Sequence, residues 1–175
     1  MKTNRLYSSI LLFFVYFSSF SQEKAINEEH LLIDNFFKET ETELYTEFVD
    51  FKGIKIFIDQ PNIFENLYGQ PCIEKNEKVS FERFFTKKEI DGIVDKISNF
   101  KTGENIIQTQ LKNVQLSSDI EHKNLVFITK PILVNNKAIL YLKRRNEESI
   151  LIFKKDINES WQVICQKFLY LSIED

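Results

Sequence analysis

The sequence predicts an α+β fold, with an N-terminal helix and a capped amphipathic helix packed on a bent antiparallel sheet. Three observations carry that expectation. The stretch FFTKKEIDGIVDKISNF joins a helix-start signal to apolar residues at helical spacing. From Ile106 onward the period changes to short β-branched and aromatic runs. The connections between the later runs are too short for a crossover helix, so neighbouring strands there must run antiparallel.

The first segment stands apart from that fold. In RLYSSILLFFVYFSSFSQE, residues 5–23, a basic head of Lys2 and Arg5 precedes a short apolar core. Ser19-Phe20-Ser21 then supplies small residues before Gln22. That order is the layout of a secretory signal peptide cut near Ser21. A spanning anchor is the alternative, but it needs roughly 20 largely apolar residues, and serines interrupt this shorter run. Residues 22–175 would then form a single α+β domain, large enough for its own core, delivered to the periplasm or outside the cell. No stable membrane insertion is expected after cleavage. Losing Lys2 and Arg5 would move the formal charge from −3 to −5, which favours solubility and gives no reason to expect a polyanionic partner.

Along the domain, Leu32, Ile33, Phe36 and Phe37 fall at helical spacing behind Glu28 and Glu29, which suit a helix's positive end. A helix from Ile26 to Leu44 is expected, with Thr40 and Thr42 weakening its second half. GIKIFIDQP alternates Ile54, Ile56 and Ile58 with other residues and reads as a strand ended by Pro61. NIFENLYGQPC reads as one short helical turn. Thr86 and Glu89 then form a capping box, Phe85 and Ile90 a hydrophobic staple, and Ile90, Ile93, Val94 and Ile97 the buried face of the best-defined helix.

The runs IIQTQLKNVQLS, LVFITKPILV, AILYLKR, SILIFKK and WQVICQKFLYLS follow as strands of a meander. Both alternating sets of AILYLKR are apolar, so both faces of the sheet should be covered, one by helices and the other by a second layer, a ligand or a partner. Pro131 cannot donate to a ladder and should mark a break, bulge or edge. The phase of Trp161, Val163 and Cys165 slips before Phe168, which suggests a bulge near Gln166-Lys167.

The catalytic inventory is thin. His30 and His122 are the two histidines, and neither lies in a zinc-binding spacing. His122 beside Asp119 and Glu121 reads as a solvated loop rather than a metal site. Cys72, in the turn-like GQPCIE, lacks a local base, and no G-x-S-x-G elbow occurs. Asp91 and Asp95 lie one turn apart, as on a wet helical face. With 4 glycines in the chain, no phosphate loop can be recognised, so no cofactor is expected. Cys72 and Cys165 are a possible disulfide, which an exporting route would permit.

The basic run Lys143-Arg144-Arg145 could come near Lys154-Lys155 at adjacent strand ends and meet an acidic partner. It lacks the breadth expected of a nucleic-acid surface. Asn158-Glu159-Ser160 has the form of an N-glycosylation acceptor.

The stretches FFTKKEIDGIVDKI, TKPILVNNKAILYLK and LIFKKDINESWQVI resemble a group of small exported proteins of Bacteroidota. The shared features are a capped helix (Thr86 to Ile97), a K-P-hydrophobic strand (Lys130-Pro131-Ile132), a hairpin (Ala138 to Leu142), a lysine-bearing strand (Leu151 to Lys155) and W-x-V (Trp161 to Val163). The match covers about half the chain, and Arg144 to Ser149 lacks the insert that some similar sequences carry. The resemblance implies export and an α+β sheet, and it supplies no catalytic residue.

The expected function is that of a secreted or periplasmic protein binding an unknown protein or small ligand. A small secreted hydrolase and an immunity or inhibitor protein are the alternatives. Trp161, Tyr141 and Tyr170, with Lys143, Arg144 and Arg145, are the binding candidates.

Overall fold

The computed structural model describes residues 27–67, 80–101 and 103–171. The expected signal segment, Cys72 and the proposed cut near Ser21 lie outside the described residues. The architecture is α+β: helices pack against a mixed, mostly antiparallel sheet of seven strands.

Helix α1 is Glu28–Phe37. Asn27 caps it by accepting from the Glu29 N–H at 3.0 Å, and Glu28 and Glu29 fill its first turn. It stops well before Leu44, because Thr40 turns its hydroxyl back to the Phe37 carbonyl at 2.8 Å and the chain then enters strand β1, Glu43–Tyr45. The expected strand GIKIFIDQP is instead helix α2, Lys52–Asp59. Its isoleucine alternation is real, but Ile54 and Phe57 are fully buried three positions apart while Ile56 is 43% exposed. Helical packing therefore wins over the period of two. Helix α3, Pro61–Asn66, starts on a proline, which is pre-shaped for a first turn.

Helix α4, Lys87–Asn99, has the capping box in full: Thr86 Oγ1 accepts from the Glu89 N–H and the Glu89 carboxylate accepts from the Thr86 N–H at 2.8 Å. Phe85, Ile90, Ile93 and Ile97 join one core, whereas Val94 turns outward at 38% exposure.

The remaining strands are β2 (Gln115–Ser117), β3 (Leu125–Ile128), β4 (Ile132–Val134), β5 (Lys137–Arg144), β6 (Glu147–Lys155) and β7 (Trp161–Leu171). The order is β2-β1-β3-β5-β6-β7, with β4 also on β5. Strands β5, β6 and β7 form the expected antiparallel meander. The sheet is not antiparallel throughout, since β1 lies parallel to both β2 and β3. Most of IIQTQLKNVQLS is loop and a 3-10 turn, and only Gln115–Ser117 is strand.

At Pro131 the ladder breaks as expected. Thr129 repairs the gap: its N–H donates to the Tyr141 carbonyl at 3.0 Å, and its buried hydroxyl accepts from the Tyr141 N–H at 3.1 Å. The β6–β7 register slips twice, skipping Ile164 and Leu169. The expected irregularity thus flanks Gln166-Lys167 on both sides rather than falling on it.

Alternate residues of β5 enter two cores. Ala138, Leu140 and Leu142 face α1 and the Ile106–Val114 loop. Ile139 and Tyr141 face α2, α3 and α4 through Phe57, Phe64, Phe85 and Ile93. Helices therefore cover both faces of the sheet. Each fully buried large side chain contributes about 1.5–3 kcal/mol, and the two-sided covering explains why β5 and β6 are apolar at nearly every central position.

Candidate functional site

The break between β3 and β4 opens a cleft of about 460 Å³ against the C-terminal end of α4. Its apolar lining is Phe51, Phe100, Pro131 and Ile132, with the two phenylalanine rings edge to face at 4.6 Å. Its charged lining comes from four separate segments. Glu29 belongs to α1, Asp95 and Lys96 to α4, Lys101 and Glu104 to the following loop, and Lys130 to the strand break.

Lys130 organises this rim. Its ammonium lies 2.6 Å from Glu104 Oε1 and 3.3 Å from Glu29 Oε2. Burial alone would lower its pKa, but the hydrogen bonds and charges of Glu104 and Glu29 outweigh that and raise it. Lys96 donates to the Leu133 carbonyl at 2.5 Å, fixing α4 to β4. Asp95 and Lys101 have no ion pair among the described residues. The cleft therefore offers an apolar floor, two committed cations (Lys130 and Lys96) and one uncommitted charge of each sign.

His30 lies next to Glu29 but inside the core, 3% exposed. Its Nε2 accepts from the Ile107 N–H at 3.1 Å, so the neutral ring carries its proton on Nδ1, which has no hydrogen-bond partner among the described residues. Burial chiefly lowers its pKa; Lys130 acts in the same direction, while Glu29 and Glu104 oppose. His122 sits at the surface with Nδ1 3.7 Å from Glu43 Oε2, so its nearest carboxylate is on β1 rather than Asp119 or Glu121.

The aromatic candidates are placed differently from an open aromatic surface. Trp161 and Tyr141 are each 8% exposed and belong to opposite core layers. Lys155 lies 5.2 Å from the Trp161 ring centroid and pairs with Glu28 and, at 2.9 Å, Glu159. Tyr170 is within β7, and its side chain lies outside the described residues. Burial pushes the Tyr141 hydroxyl well above its ordinary pKa, with its hydrogen bond to Glu148 adding to the rise.

The basic runs do not meet. Lys143 pairs across the hairpin with Glu148, whereas Lys154 stands opposite Lys137 at the far end of the same two strands. Antiparallel pairing sends successive strand ends to opposite edges, so the expected combined patch does not form. Lys143 is bound to Glu148 at 2.8 Å, Arg145 is exposed and engaged, and Arg144 lines a separate small cavity. Asp91 and Asp95 are exposed on α4 and face different clefts.

Cys165 is buried and disulfide-bonded; Cys72, which the sequence offers as a possible partner, lies outside the described residues. Among the described residues no group of three or more His, Cys, Asp or Glu could hold a metal ion, and no helix is long and apolar enough to cross a membrane. The Lys130 cleft was not among the sequence-derived candidates. Pro131 marked its position, but Glu29 and Glu104 reach it from distant parts of the chain. No protein-family model matches the chain, and no curated protein or solved structure matches it.

Proposed function

We propose that this chain is an exported binding protein whose ligand site is the Lys130 cleft. The observation that carries the reading is the combination of an apolar floor (Phe51, Phe100, Ile132) with rim charges left open at Asp95 and Lys101. Such a site suits a small molecule or partner side chain with an apolar body and a polar, charge-bearing end. A histidine-based hydrolytic site would instead need a histidine facing a nucleophile or carboxylate in a concave setting. His30 has its acceptor nitrogen occupied by Ile107, and His122 is on the surface.

The test is a titration of the folded protein with free phenylalanine, tyrosine and leucine, followed by amide NMR. Shifts confined to Asp95–Lys101 and Lys130–Ile132, weakened in Asp95→Ala or Lys101→Ala, are the expected result. Silence at those positions, or shifts elsewhere, would sink the cleft as the ligand site. Export is tested separately by the intact mass of protein purified from its native cells. A chain beginning at Gln22 supports it, and a chain retaining residues 1–21 overturns it.

A further inference from the structure

We propose a second, independent site: a carboxylate-binding pocket at the opposite end of β3, built on Arg144. The cavity there is about 300 Å³ and is formed where β1 and β3 begin and β5 ends, with Thr42, Lys123, Asn124 and Val126 among its lining. Arg144 Nε faces no hydrogen-bond partner among the described residues although the atom is shielded from solvent. Leaving a buried guanidinium N–H unpaired is costly, and native structures rarely do so without a reason.

The obvious internal partner is turned away. Glu147 stands directly across the hairpin from Arg144, yet its Oε1 accepts from Ser149 Oγ and Gln166 Nε2, each at 3.0 Å. Lys123 adds a second cation with no ion pair among the described residues, and Glu41 adds one carboxylate. One arginine and one lysine against one glutamate leave a single positive charge, which matches a monoanion better than a phosphate dianion. The planar edge of a guanidinium also fits two carboxylate oxygens side by side. The ligand is therefore a carboxylate, carried either by a small organic acid or by the C-terminus of a peptide.

The experiment titrates the full mature chain, by amide NMR, with four probes: sodium acetate, acetyl-Gly-Ala-Ala as the free acid, the same peptide as its C-terminal amide, and inorganic phosphate. Both free-acid probes should shift Lys123–Val126 and Arg144, and the peptide amide should not. Acetate binding as tightly as the peptide acid identifies a small acid, whereas a clearly tighter peptide acid identifies a chain terminus.

Arg144→Gln should weaken the acid at least about tenfold and Arg144→Lys should weaken it less, because the charge remains and the fork is lost. Glu41→Gln, at an exposed position, should tighten binding about two- to threefold by removing repulsion. Equal shifts from acid and amide, a stronger response to phosphate, no response to either acid, or unchanged affinity in a folded Arg144 variant would each overturn the proposal.

Discussion

Gly53 of α2 lies against the ring of Tyr141 on β5: a Cβ at Gly53 would stand 2.6 Å from both Cδ2 and Cε2 of that ring. The ring is buried and its hydroxyl is bonded to Glu148, so it has little room to yield. Gly53→Ala should destabilise the protein by about 1–3 kcal/mol through overpacking, read as a lower urea midpoint with an unchanged slope.

Gly92 of α4 supplies the contrast. Nothing lies within 4 Å of a Cβ placed there, and glycine is a poor helix former. Gly92→Ala should raise stability by about 0.5–1 kcal/mol. A similar gain in both alanine variants would mean that the α2–β5 approach is looser than described.

Glu89 makes the pH prediction. Its carboxylate accepts from the Thr86 N–H, from Asn135 Nδ2 at 3.0 Å and from Lys137 Nζ at 3.0 Å, and these contacts pull its pKa from 4.5 down to about 2 despite some burial. A depressed pKa contributes stability that is complete above the unfolded value and fades as pH falls through the folded one. The gap between wild type and Glu89→Gln should therefore be on the order of 1–3 kcal/mol at neutral pH, allowing for solvent screening. It should shrink between about pH 4.5 and pH 2. Urea titrations of both proteins at pH 7, 4 and 2.5 check the sign.

Asp34 ties α1 to the loop before β2. It accepts from the N–H groups of Lys112 and Asn113 at 2.8 and 2.7 Å and from Asn113 Nδ2 at 2.8 Å. Asp34→Ala would strip three partners of their acceptor and should cost about 2–3 kcal/mol, with faster amide exchange at Lys112 and Asn113.

Trp161 is the one tryptophan in the chain and sits in the α1-side core. Native emission should be blue-shifted and weakly quenched by acrylamide, and both properties should be lost on unfolding. Native emission resembling that of the unfolded chain would contradict the placement of β7.

What could be read in advance follows the range of the forces involved. The α4 cap was legible because Thr86 and Glu89 are three residues apart. The β5–β7 meander was legible because short turns leave a strand nowhere else to go. Helix α2 was misread because Ile54, Ile56 and Ile58 satisfy a period of two while burial follows Ile54 and Phe57. The cleft was largely hidden for a related reason: Lys130 and Pro131 are adjacent, but the carboxylates that hold Lys130 come from α1 and from the loop after α4. Arg144 was recognised as basic, whereas its pocket arises from parallel pairing of β1 with β3, which local pattern does not encode.

That parallel pairing bears on the order of folding. Between β1 and its neighbours β2 and β3 lie all of α2, α3 and α4, so closing this part of the sheet means closing a long loop, whereas the β5–β6–β7 hairpins need only short ones. Chain-closure entropy places the C-terminal hairpins early and the docking of β1 last. A late-arriving β1 would leave the β3 edge briefly uncovered, making that edge the point where a slow-folding or shortened variant is most exposed to self-association.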